Sequence, residues 1–466
     1  MRVALVLPPA REPVRSPLLA FAYLVAALRR EGHEAVVVDA AAPRGPKTPE
    51  ALARAVSQQG PDLIGVHLKT LEVQPAYAAA VELRRLGVPL VAGGPHATVC
   101  PAEPLSQGFS YVVRGEAEAT LPQLATALER GDDLASIAGL SFVEHGLPRH
   151  MAERPFERDL DTLPDPLSAV DAFDAGLYGS AKAVAPAGLL SSRGCPAACT
   201  FCSNNVTGRQ FRYHSPARVR QEVVALSQVH HMGSFSFFDD SFAVGKVRMQ
   251  RLCAELERVP GIAWTCTAHP AHLDPQTLSS MQRAGCAGVD LGVESGDEEM
   301  LLRIGKGVTT ERVLRVLEDA AAIGLHTVVN LMMGFPDETE AQLEATLAFL
   351  ERASVSAGTF NSRGVLVPHP GTPVYDLYHD RFGFSEWWIR EPAIPYPPFP
   401  EEWTPSEVRR AYATDPALER NFFHHSSTSL ALMREILERK ARHTIGFVEA
   451  TREAAARASR VASSIS

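Results

Sequence analysis

Short apolar runs alternate with amphipathic stretches along the first 135 residues of the chain. The amphipathic stretch SPLLAFAYLVAALRREGH has its apolar residues at helical spacing and ends at Gly32. Apolar runs separated by such helices predict parallel strands that are buried on both faces. We therefore predict an α/β, doubly wound, Rossmann-like domain over residues 1–135. The predicted strands are VALVLPP, EAVVVDA, DLIGVHL, VPLVAGG and YVVRGEAE.

A second alternating region follows a stretch without sustained periodicity. We assign residues 136–185, which include the proline-rich segment RDLDTLPDPL, to a linker. Over residues 186–370, strand-like segments again alternate with helical patterns, which predicts a partial (β/α)6 barrel of TIM type. We expect its active site at the carboxyl ends of the strands. The strand-like segments are AGLLSSR, FSFFDDS, IAWTCTA, GVDLGVES, LHTVVNLMMGF and SAGTFNSRGVLV.

The pattern changes again over residues 371–466. The segment FGFSEWWIREPAIPYPPFPEEW is rich in aromatic residues and proline, and a long helical pattern follows it. We predict that the aromatic segment around Trp387, Trp388, Tyr396 and Trp403 covers a substrate pocket between the domains. The alternative is that these rings only pack the C-terminal helices onto the barrel.

Composition and charge narrow the function classes. Of the 466 residues, 45% are hydrophobic and 21% are charged, as in ordinary globular proteins. No apolar run reaches the roughly 18–20 residues that span a membrane, and the N-terminus reads as a strand rather than a signal peptide. The net charge of −9 argues against nucleic acid as the main partner. We expect a cytoplasmic protein with a small-molecule substrate.

Three of the seven cysteines, Cys195, Cys199 and Cys202, lie within the segment GCPAACTFC. An odd number of cysteines without a secretion signal indicates a reducing compartment, so we interpret these three as metal ligands. Thiolates bind zinc and iron–sulfur clusters, and a structural zinc ion needs four ligands. A four-iron cluster on three cysteines keeps one iron open for a ligand. The alternatives are buried core cysteines, or a zinc site completed by a distant residue.

The spacing C-x-x-x-C-x-x-C, with Phe201 before the last cysteine, resembles the signature of the radical S-adenosylmethionine (SAM) enzymes. The resemblance implies a [4Fe–4S] cluster whose open iron binds SAM and whose electron cleaves it to a 5′-deoxyadenosyl radical. It also implies the partial barrel and an external electron donor of the flavodoxin or ferredoxin type. No catalytic residue beyond the cluster ligands is assigned.

Three further stretches, FFDDSF, LGVESGDEEML and NLMMGFPDETEA, resemble motifs of the same superfamily. Each one alone has a structural explanation as a helix cap, a strand end or a turn. All of them occur in order at the ends of predicted strands. The implied SAM contacts, besides Phe201, are Asp239, Asp240, Ser241, Glu294, Ser295, Met332, Gly334 and Phe335.

The front domain resembles the cobalamin-binding domain of one subclass of these enzymes, and the resemblance extends over about residues 1–375. Glycines in the turn after the fourth strand would allow the close backbone approach that a corrin and its nucleotide tail require. The loop PPAREPVRSPLL contains neither Asp nor His, which resembles the subclass lacking a histidine ligand to cobalt. His67 is either a cobalt ligand or a structural residue. The implied cobalamin contacts are His67, Leu68, Lys69, Thr70, Gly93, Gly94 and His96.

Two positions depart from the subclass pattern. Relatives often have an arginine after the third barrel strand, where this chain has His269 and His272. They usually have a glycine near Ala20 in the first helix. The first departure leaves the contact with the SAM carboxylate open or marks a change that faces the substrate.

The resemblance implies a methyltransferase that methylates an unactivated carbon of a small biosynthetic intermediate. Its chemistry would use a 5′-deoxyadenosyl radical and methylcobalamin. One alternative is a cobalamin-dependent cyclase or ring-rearranging enzyme without methyl transfer. A methylthiotransferase is a second alternative, although the front domain contains only Cys100 and no second cysteine set. A non-catalytic iron–sulfur redox sensor is the third.

Overall fold

The structure, a computed structural model, describes residues 1–10, 14–180, 182, 184–400 and 403–465, with side chains up to residue 450. Residues 11–13 of the first predicted loop lie outside this description. No helix among the described residues is long and apolar enough to cross a membrane.

The front domain is a seven-stranded sheet in the order β2-β1-β3-β4-β5-β6-β7, flanked by helices. Strands β1 to β5 run parallel, and β6 and β7 add an antiparallel hairpin at the β5 edge. The strands are β1 (Arg2–Leu7), β2 (Glu34–Asp39), β3 (Leu63–His67), β4 (Leu90–Gly93), β5 (Tyr111–Val113), β6 (Leu140–Glu144) and β7 (Leu147–His150). The helices are α1 (Leu19–Arg30), α2 (Pro49–Ser57), α3 (Val73–Arg84), α4 (Pro95–Val99), α5 (Ala102–Ser106) and α6 (Thr120–Arg130).

The hairpin β6–β7 corrects the predicted linker, which was assigned from residue 136. Strand β7 is exposed along its whole length, so the hairpin lacks the apolar run that marks the inner strands. Beyond it, the segment Pro166–Ala172 forms a 3₁₀ helix whose Ala169 and Val170 are buried. Ala169 packs with helix α1, so the connector folds back onto the front domain.

The second domain is a six-stranded parallel sheet in the order β15-β14-β13-β12-β11-β8, which confirms the predicted partial barrel. A short antiparallel pair, β9 and β10, follows β8. The strands are β8 (Gly188–Leu189), β9 (Ser192–Arg193), β10 (Arg212–Tyr213), β11 (Ser234–Phe237), β12 (Ala263–Ala268), β13 (Cys286–Glu294), β14 (His326–Leu331) and β15 (Thr359–Phe360). The helices are α7 (Pro216–Val224), α8 (Lys246–Leu256), α9 (Pro275–Arg283), α10 (Glu298–Arg303), α11 (Thr310–Ala322) and α12 (Glu340–Ala353).

The C-terminal region closes the open edge of the barrel at β15. Its helices are α13 (Pro373–Phe382), α14 (Trp387–Arg390), α15 (Pro405–Ala413), α16 (Ala417–Arg420) and α17 (Ser427–Ile465). In α17, Thr444 accepts a hydrogen bond from the backbone N–H of Phe360 at 3.4 Å, and fully buried Lys440 donates to the carbonyl of Arg363. Side chains of a helix thus contact backbone groups along the edge where a further strand would pair.

Candidate active site

The three clustered cysteines lie on the loop that connects β9 to β10. The loop is closed at its base, where the N–H of Cys195 donates to the carbonyl of Gly208 at 3.2 Å. Gly194 has a φ of +83°, and a Cβ there would lie 2.3 Å from the carbonyl oxygen of Gln210, so only glycine fits. Cys199 is buried, Cys195 is half-buried and Cys202 is exposed. The three cysteines of the loop therefore differ in their exposure to solvent.

A turn after α10, in which Gly305 and Gly307 flank a lysine, packs against the cysteine loop. The N–H of Thr200 donates to the carbonyl of Ile304 at 3.0 Å. Gly305 has a φ of +71°, and a Cβ there would lie 2.8 Å from the carbonyl oxygen of Ala198. The sequence signal for this turn is the pair of glycines that flank the lysine in IGKG.

The turn carries Lys306, a buried cation that the sequence analysis missed. Its Nζ lies 3.0 Å from Oε1 of Glu294, and both side chains are at most 10% exposed. Burial raises the pKa of the Cys199 thiol; the nearby Lys306 ammonium acts to lower it and the Glu294 carboxylate to raise it. The pair thus puts one positive and one negative charge beside the cysteines.

Glu294 ends β13 in a strained conformation. Its φ is +76°, a region that a non-glycine residue rarely adopts, and the pairing of β13 with β14 shifts register beside it. The bulge directs Glu294 toward Lys306. Ser295 has a different place: it is fully buried, and its Oγ accepts a hydrogen bond from the N–H of Asp297 at 3.1 Å. Its side chain thus stabilises the start of α10, and its contact with SAM stays a prediction.

Asp239 and Asp240, adjacent at the end of β11, point in opposite directions. The carboxylate of Asp239 is buried and accepts hydrogen bonds from the N–H of Ser191 at 2.7 Å and from the hydroxyls of Ser191 and Ser192 at 2.5 Å. These bonds hold Asp239 against the residues that precede the cysteine loop, and its contact with SAM stays a prediction. Asp240 is exposed, and its Oδ2 accepts hydrogen bonds from the N–H of Gly194 and the hydroxyl of Thr207, both at 2.8 Å.

The loop after β14 approaches the cysteine loop through aromatic contact. The rings of Phe201 and Phe335 pack edge to face with centroids 5.8 Å apart. Met332 is half-buried, and Gly334 has a φ of +82°. The structure therefore brings Phe201 together with the three residues predicted after the fifth barrel strand.

A buried carboxylate that the sequence analysis did not select, Glu338, holds this loop. Its Oε2 accepts the N–H groups of Gly334 at 2.6 Å and Phe335 at 3.1 Å. Burial raises the pKa of Glu338 to about 7 against these two hydrogen bonds, which act to lower it. The loop conformation thus depends on a carboxyl group whose protonation changes near neutral pH.

His269 and His272, which follow the third barrel strand, lie beside the same turn. Nε2 of His269 is 2.7 Å from the carbonyl oxygen of Lys306, and the two imidazole centroids are 5.6 Å apart. Burial, with a contribution from the Lys306 ammonium, lowers the pKa of His269 to about 4. The nearby cation is therefore Lys306, not a histidine.

In the front domain, His67 and Gly94 lie at the carboxyl edge of the sheet. Gly94 has a φ of +96°, and a Cβ there would lie 2.6 Å from Nδ1 of His67 and 2.9 Å from the carbonyl oxygen of Leu68. Burial and the nearby Lys69 ammonium lower the pKa of His67 to about 3, so its imidazole is neutral at physiological pH. Gly93, the last residue of β4, is half-buried.

The other residues predicted to contact cobalamin are buried or are paired with other residues of the chain. Leu68 is fully buried, and Lys69 is paired with Glu72 at 3.5 Å. His96 is also fully buried: its Nδ1 lies 3.1 Å from the hydroxyl of Thr70, and its Nε2 lies 3.0 Å from Glu103. Both ring nitrogens of His96 thus have protein partners, and its contact with cobalamin stays a prediction.

The same carboxylate, Glu103, ties the C-terminal aromatic segment to the front domain. Its Oε2 accepts the indole N–H of Trp388 at 2.9 Å, and its Oε1 accepts the hydroxyl of Tyr77 at 2.7 Å. Trp387 and Trp388 are at most 4% exposed and belong to the core that α2 and α3 form with the C-terminal region. These two rings are packing residues, which favours the alternative over the predicted cover; Trp403 is 37% exposed.

A cavity of about 560 Å³ lies where the carboxyl edges of the two sheets face each other. Helix α1, His67, Gly94 and the loop after β5 line it from the front domain. From the second domain come Leu190, Phe238 and Asp240, and the cysteine loop adds Val206 and Thr207. In parallel α/β sheets and in barrels alike, this edge is where ligands bind.

The residues present fit the predicted groups. Three thiols on one closed loop are a suitable donor set for an iron–sulfur cluster. At Gly94 the place of a Cβ is taken by the His67 ring, so glycine lets the backbone pack against His67 where both residues line the cavity. Within the described part of the chain, the hydroxyl of Ser241 is buried and has no hydrogen-bond partner, which leaves a donor for a ligand near Asp240.

Comparison with known protein families matches a different family model to each of the two domains. The model of the radical SAM superfamily matches residues 189–350, and that of the B12 binding domain matches residues 15–125. An uncharacterized methyltransferase from Pyrococcus horikoshii, PH0819, is 31% identical over 388 residues, which are 81% of this chain and 83% of that protein. The anaerobic magnesium-protoporphyrin IX monomethyl ester cyclase of Synechocystis is 28% identical over 75% of this chain and 70% of its own length.

A solved structure with the same fold is the radical SAM methyltransferase TsrM from Kitasatospora setae, with cobalamin and a [4Fe–4S] cluster bound. It superposes with a TM-score of 0.69 at 22% sequence identity, over 82% of this chain and 75% of TsrM. At this identity the likeness shows the fold alone.

Proposed function

This chain belongs to the cobalamin-dependent radical SAM enzymes, and from that premise we propose that it methylates an unactivated carbon of a small molecule. The observation that carries the proposal is the cavity of about 560 Å³ at which the carboxyl edges of both domains meet. A substrate in this cavity would lie between the two cofactor-binding edges. Holding the substrate between the two sites would fix the reacting groups in position, so that the reaction would not depend on encounters between separate molecules.

On the barrel side, Cys195, Cys199 and Cys202 would hold the [4Fe–4S] cluster. An external donor of the flavodoxin or ferredoxin type would reduce it. When bound, the cluster and SAM supply a carbon-centred radical, and cobalamin supplies the methyl group.

The protein's own contribution is to hold the cysteine loop and to shape the SAM site. Asp240 fixes the start of the loop through the N–H of Gly194. The packed rings of Phe201 and Phe335 close the space between the cysteine loop and the loop after β14. We assign the buried Lys306–Glu294 pair to the charged end of SAM, because an ammonium and a carboxylate complement its carboxylate and amino groups.

On the front-domain side, we assign His67 and Gly94 to the surface that a corrin would cover. The neutral imidazole of His67 lines the cavity with no charge to repel a metal. The mostly apolar lining from helix α1 suits a substrate radical, because it offers few exchangeable groups and excludes water.

The test uses anaerobically reconstituted protein with SAM and a low-potential reductant. Methyl transfer with radical formation predicts two products of SAM, S-adenosylhomocysteine and 5′-deoxyadenosine, measured by liquid chromatography and mass spectrometry. A variant with alanine at all three cluster cysteines is the control and should form no 5′-deoxyadenosine.

Other outcomes separate the alternatives. Formation of 5′-deoxyadenosine without S-adenosylhomocysteine would contradict methyl transfer and favour the cyclase class, to which the Synechocystis relative belongs by name. Absence of both products from protein with a full complement of iron would leave the redox-sensor alternative.

A further inference from the structure

Four buried charged residues connect the two domains at the base of the cysteine loop. Glu116 and Glu118 lie in the loop between β5 and α6, within the segment RGEAEAT. Arg193 and Arg212 are directly opposite each other on β9 and β10, the strands that enclose the cysteine loop. We call these four residues the interdomain clamp.

The contacts in the clamp are short and directional. Arg212 binds Glu116 with both terminal nitrogens, Nη1 to Oε2 at 2.9 Å and Nη2 to Oε1 at 2.7 Å. Arg193 donates from Nη2 to Oε1 of Glu118 at 2.6 Å, and its Nη1 lies 3.4 Å from Oε1 of Glu116. Two-point contact between a guanidinium and a carboxylate fixes orientation as well as distance.

Aromatic rings, and for Arg212 also backbone carbonyls, make further contacts with the two arginines of the clamp. The Arg212 guanidinium stacks over the ring of Phe156 at 4.6 Å and also donates to the carbonyls of Glu157 and Thr207. The Arg193 guanidinium lies 5.0 Å from the ring centre of Tyr23. Thr207 belongs to the cysteine loop itself, so Arg212 connects that loop directly to Glu116.

All four side chains are at most 11% exposed. Burial acts to raise the pKa of Glu118, but the Arg193 guanidinium holds it below its ordinary value. Burial acts to lower the pKa of Arg193, and the two carboxylates raise it. Buried ion pairs contribute little net stability for the desolvation they require, whereas their geometry can specify one arrangement.

We propose that the interdomain clamp is a positioning device that sets the placement of the cysteine loop relative to the front domain. The segment RGEAEAT then acts as a connection from the cobalamin-binding edge to the cluster-binding loop. The consequence for catalysis rests on the proposed function: the clamp would fix the separation between the two cofactors across the cavity. Its two glutamates and Arg193 line that cavity.

The first test is hydrogen–deuterium exchange of the full-length protein without cofactors. In Glu116→Gln, the backbone amides of residues 194–211 should exchange about tenfold faster or more, because the loop loses its anchor. The matched control is Asp171→Asn, which removes an equally bidentate pair with Arg29, at 2.7 and 3.0 Å, on the exposed surface. The control should leave exchange over residues 194–211 unchanged.

The second test reports on cofactor placement in the reconstituted protein. Electron paramagnetic resonance should show a changed magnetic interaction between cob(II)alamin and the reduced cluster in Glu116→Gln but not in Asp171→Asn. Where Glu116→Gln does not fold, as judged by circular dichroism, Glu118→Gln takes its place, because it removes the negative charge that faces Arg193 in the same clamp. Arg212→Lys, which keeps the charge and loses the two-point contact, should give an intermediate result.

The outcomes separate this proposal from the proposed function. Unchanged exchange over residues 194–211 in the glutamate variants would overturn the clamp, whatever the cofactor content. Faster exchange together with an unchanged magnetic interaction would overturn its role in cofactor placement. A wild-type protein that retains no cobalamin would contradict the proposed function, and the exchange experiment would still test the clamp.

Discussion

The two edges that face the cavity are built from different kinds of residue. At the barrel edge, charged groups are fixed in buried contacts, such as Lys306 with Glu294 and Asp239 with two serine hydroxyls. At the front-domain edge, a glycine with a φ of +96° and a neutral imidazole form the surface. We therefore expect the barrel edge to bind its ligand mainly through charged groups. We expect the front-domain edge to bind its ligand mainly through the shape of its surface. The two edges should therefore respond differently to substitution.

The largest effect is expected from the cysteine loop. Cys199→Ala should abolish iron retention and formation of 5′-deoxyadenosine, because a cluster held by three thiolates has no spare ligand. Iron analysis after anaerobic reconstitution measures this. The control is Cys253→Ala, a core position on α8 that is 1% exposed, and it should keep its iron with a modest stability loss of about 1 kcal/mol. Iron retained in Cys199→Ala would contradict the ligand assignment.

At the front edge, Gly94→Ala should prevent cobalamin retention and destabilise the domain. The new Cβ would lie 2.6 Å from Nδ1 of His67, in a backbone conformation that side chains rarely adopt. Gly87→Ala is the matched control, because its φ is +71° and a Cβ there meets nothing within 4 Å. It should lose only about 1–2 kcal/mol and retain cobalamin. Thermal unfolding and cobalt analysis compare the two; equal cobalt in both would refute the shape argument.

On the barrel side, Lys306→Met should destabilise the protein by about 3–5 kcal/mol, because it leaves the buried Glu294 carboxylate without a cation. It should also weaken SAM binding, measured by isothermal titration calorimetry. Lys246→Met removes an exposed pair with Asp274 and should change stability by less than about 1 kcal/mol. If the double variant Lys306→Met, Glu294→Gln is no more stable than Lys306→Met, the unpaired charge is not the cause.

The smallest effect concerns pH. The pKa of Glu338 rises from 4.5 to about 7 in the folded protein, so the folded state binds more protons than the unfolded state between these values. Stability from this group therefore falls as the pH rises from about 4.5 to about 7, by roughly 3 kcal/mol in total. Glu338→Gln should match the wild type near pH 5 and exceed its stability near pH 8.

Chemical denaturation at the two pH values measures this difference. Glu344→Gln, an exposed position on the same helix α12, should change stability equally at both. A pH-independent difference between Glu338→Gln and the wild type would show that the Glu338 carboxyl does not titrate in this range.

The strands and the cysteine loop could be predicted from the sequence because each depends on residues that are close together along the chain. Apolar runs such as residues 3–7 are buried throughout, and the glycine before Cys195 has the positive φ of a tight loop. The neighbours Asp239 and Asp240 look alike in sequence. Both lie just beyond the end of β11, where Asp239 is buried and Asp240 is exposed, and the sequence alone does not say which one faces a ligand.

What the sequence could not predict depends on contacts between distant residues. Glu116 and Arg212 are 96 positions apart, and the pairing exists only when the two domains are docked. Lys306 meets Glu294 over a shorter separation of 12 positions, but only because a bulge directs the end of β13 toward the turn. The aromatic segment was ambiguous for a related reason, since packing rings and covering rings have the same composition.

The central claim is that the two edges hold two different cofactors beside one cavity. The measurement that tests it most directly is the iron and cobalt content of each chain after anaerobic reconstitution with iron, sulfide and hydroxocobalamin, followed by desalting. We expect about four irons and one cobalt per chain, with Gly94→Ala losing only the cobalt and Cys199→Ala losing the iron. Protein with four irons and no retained cobalt would contradict it.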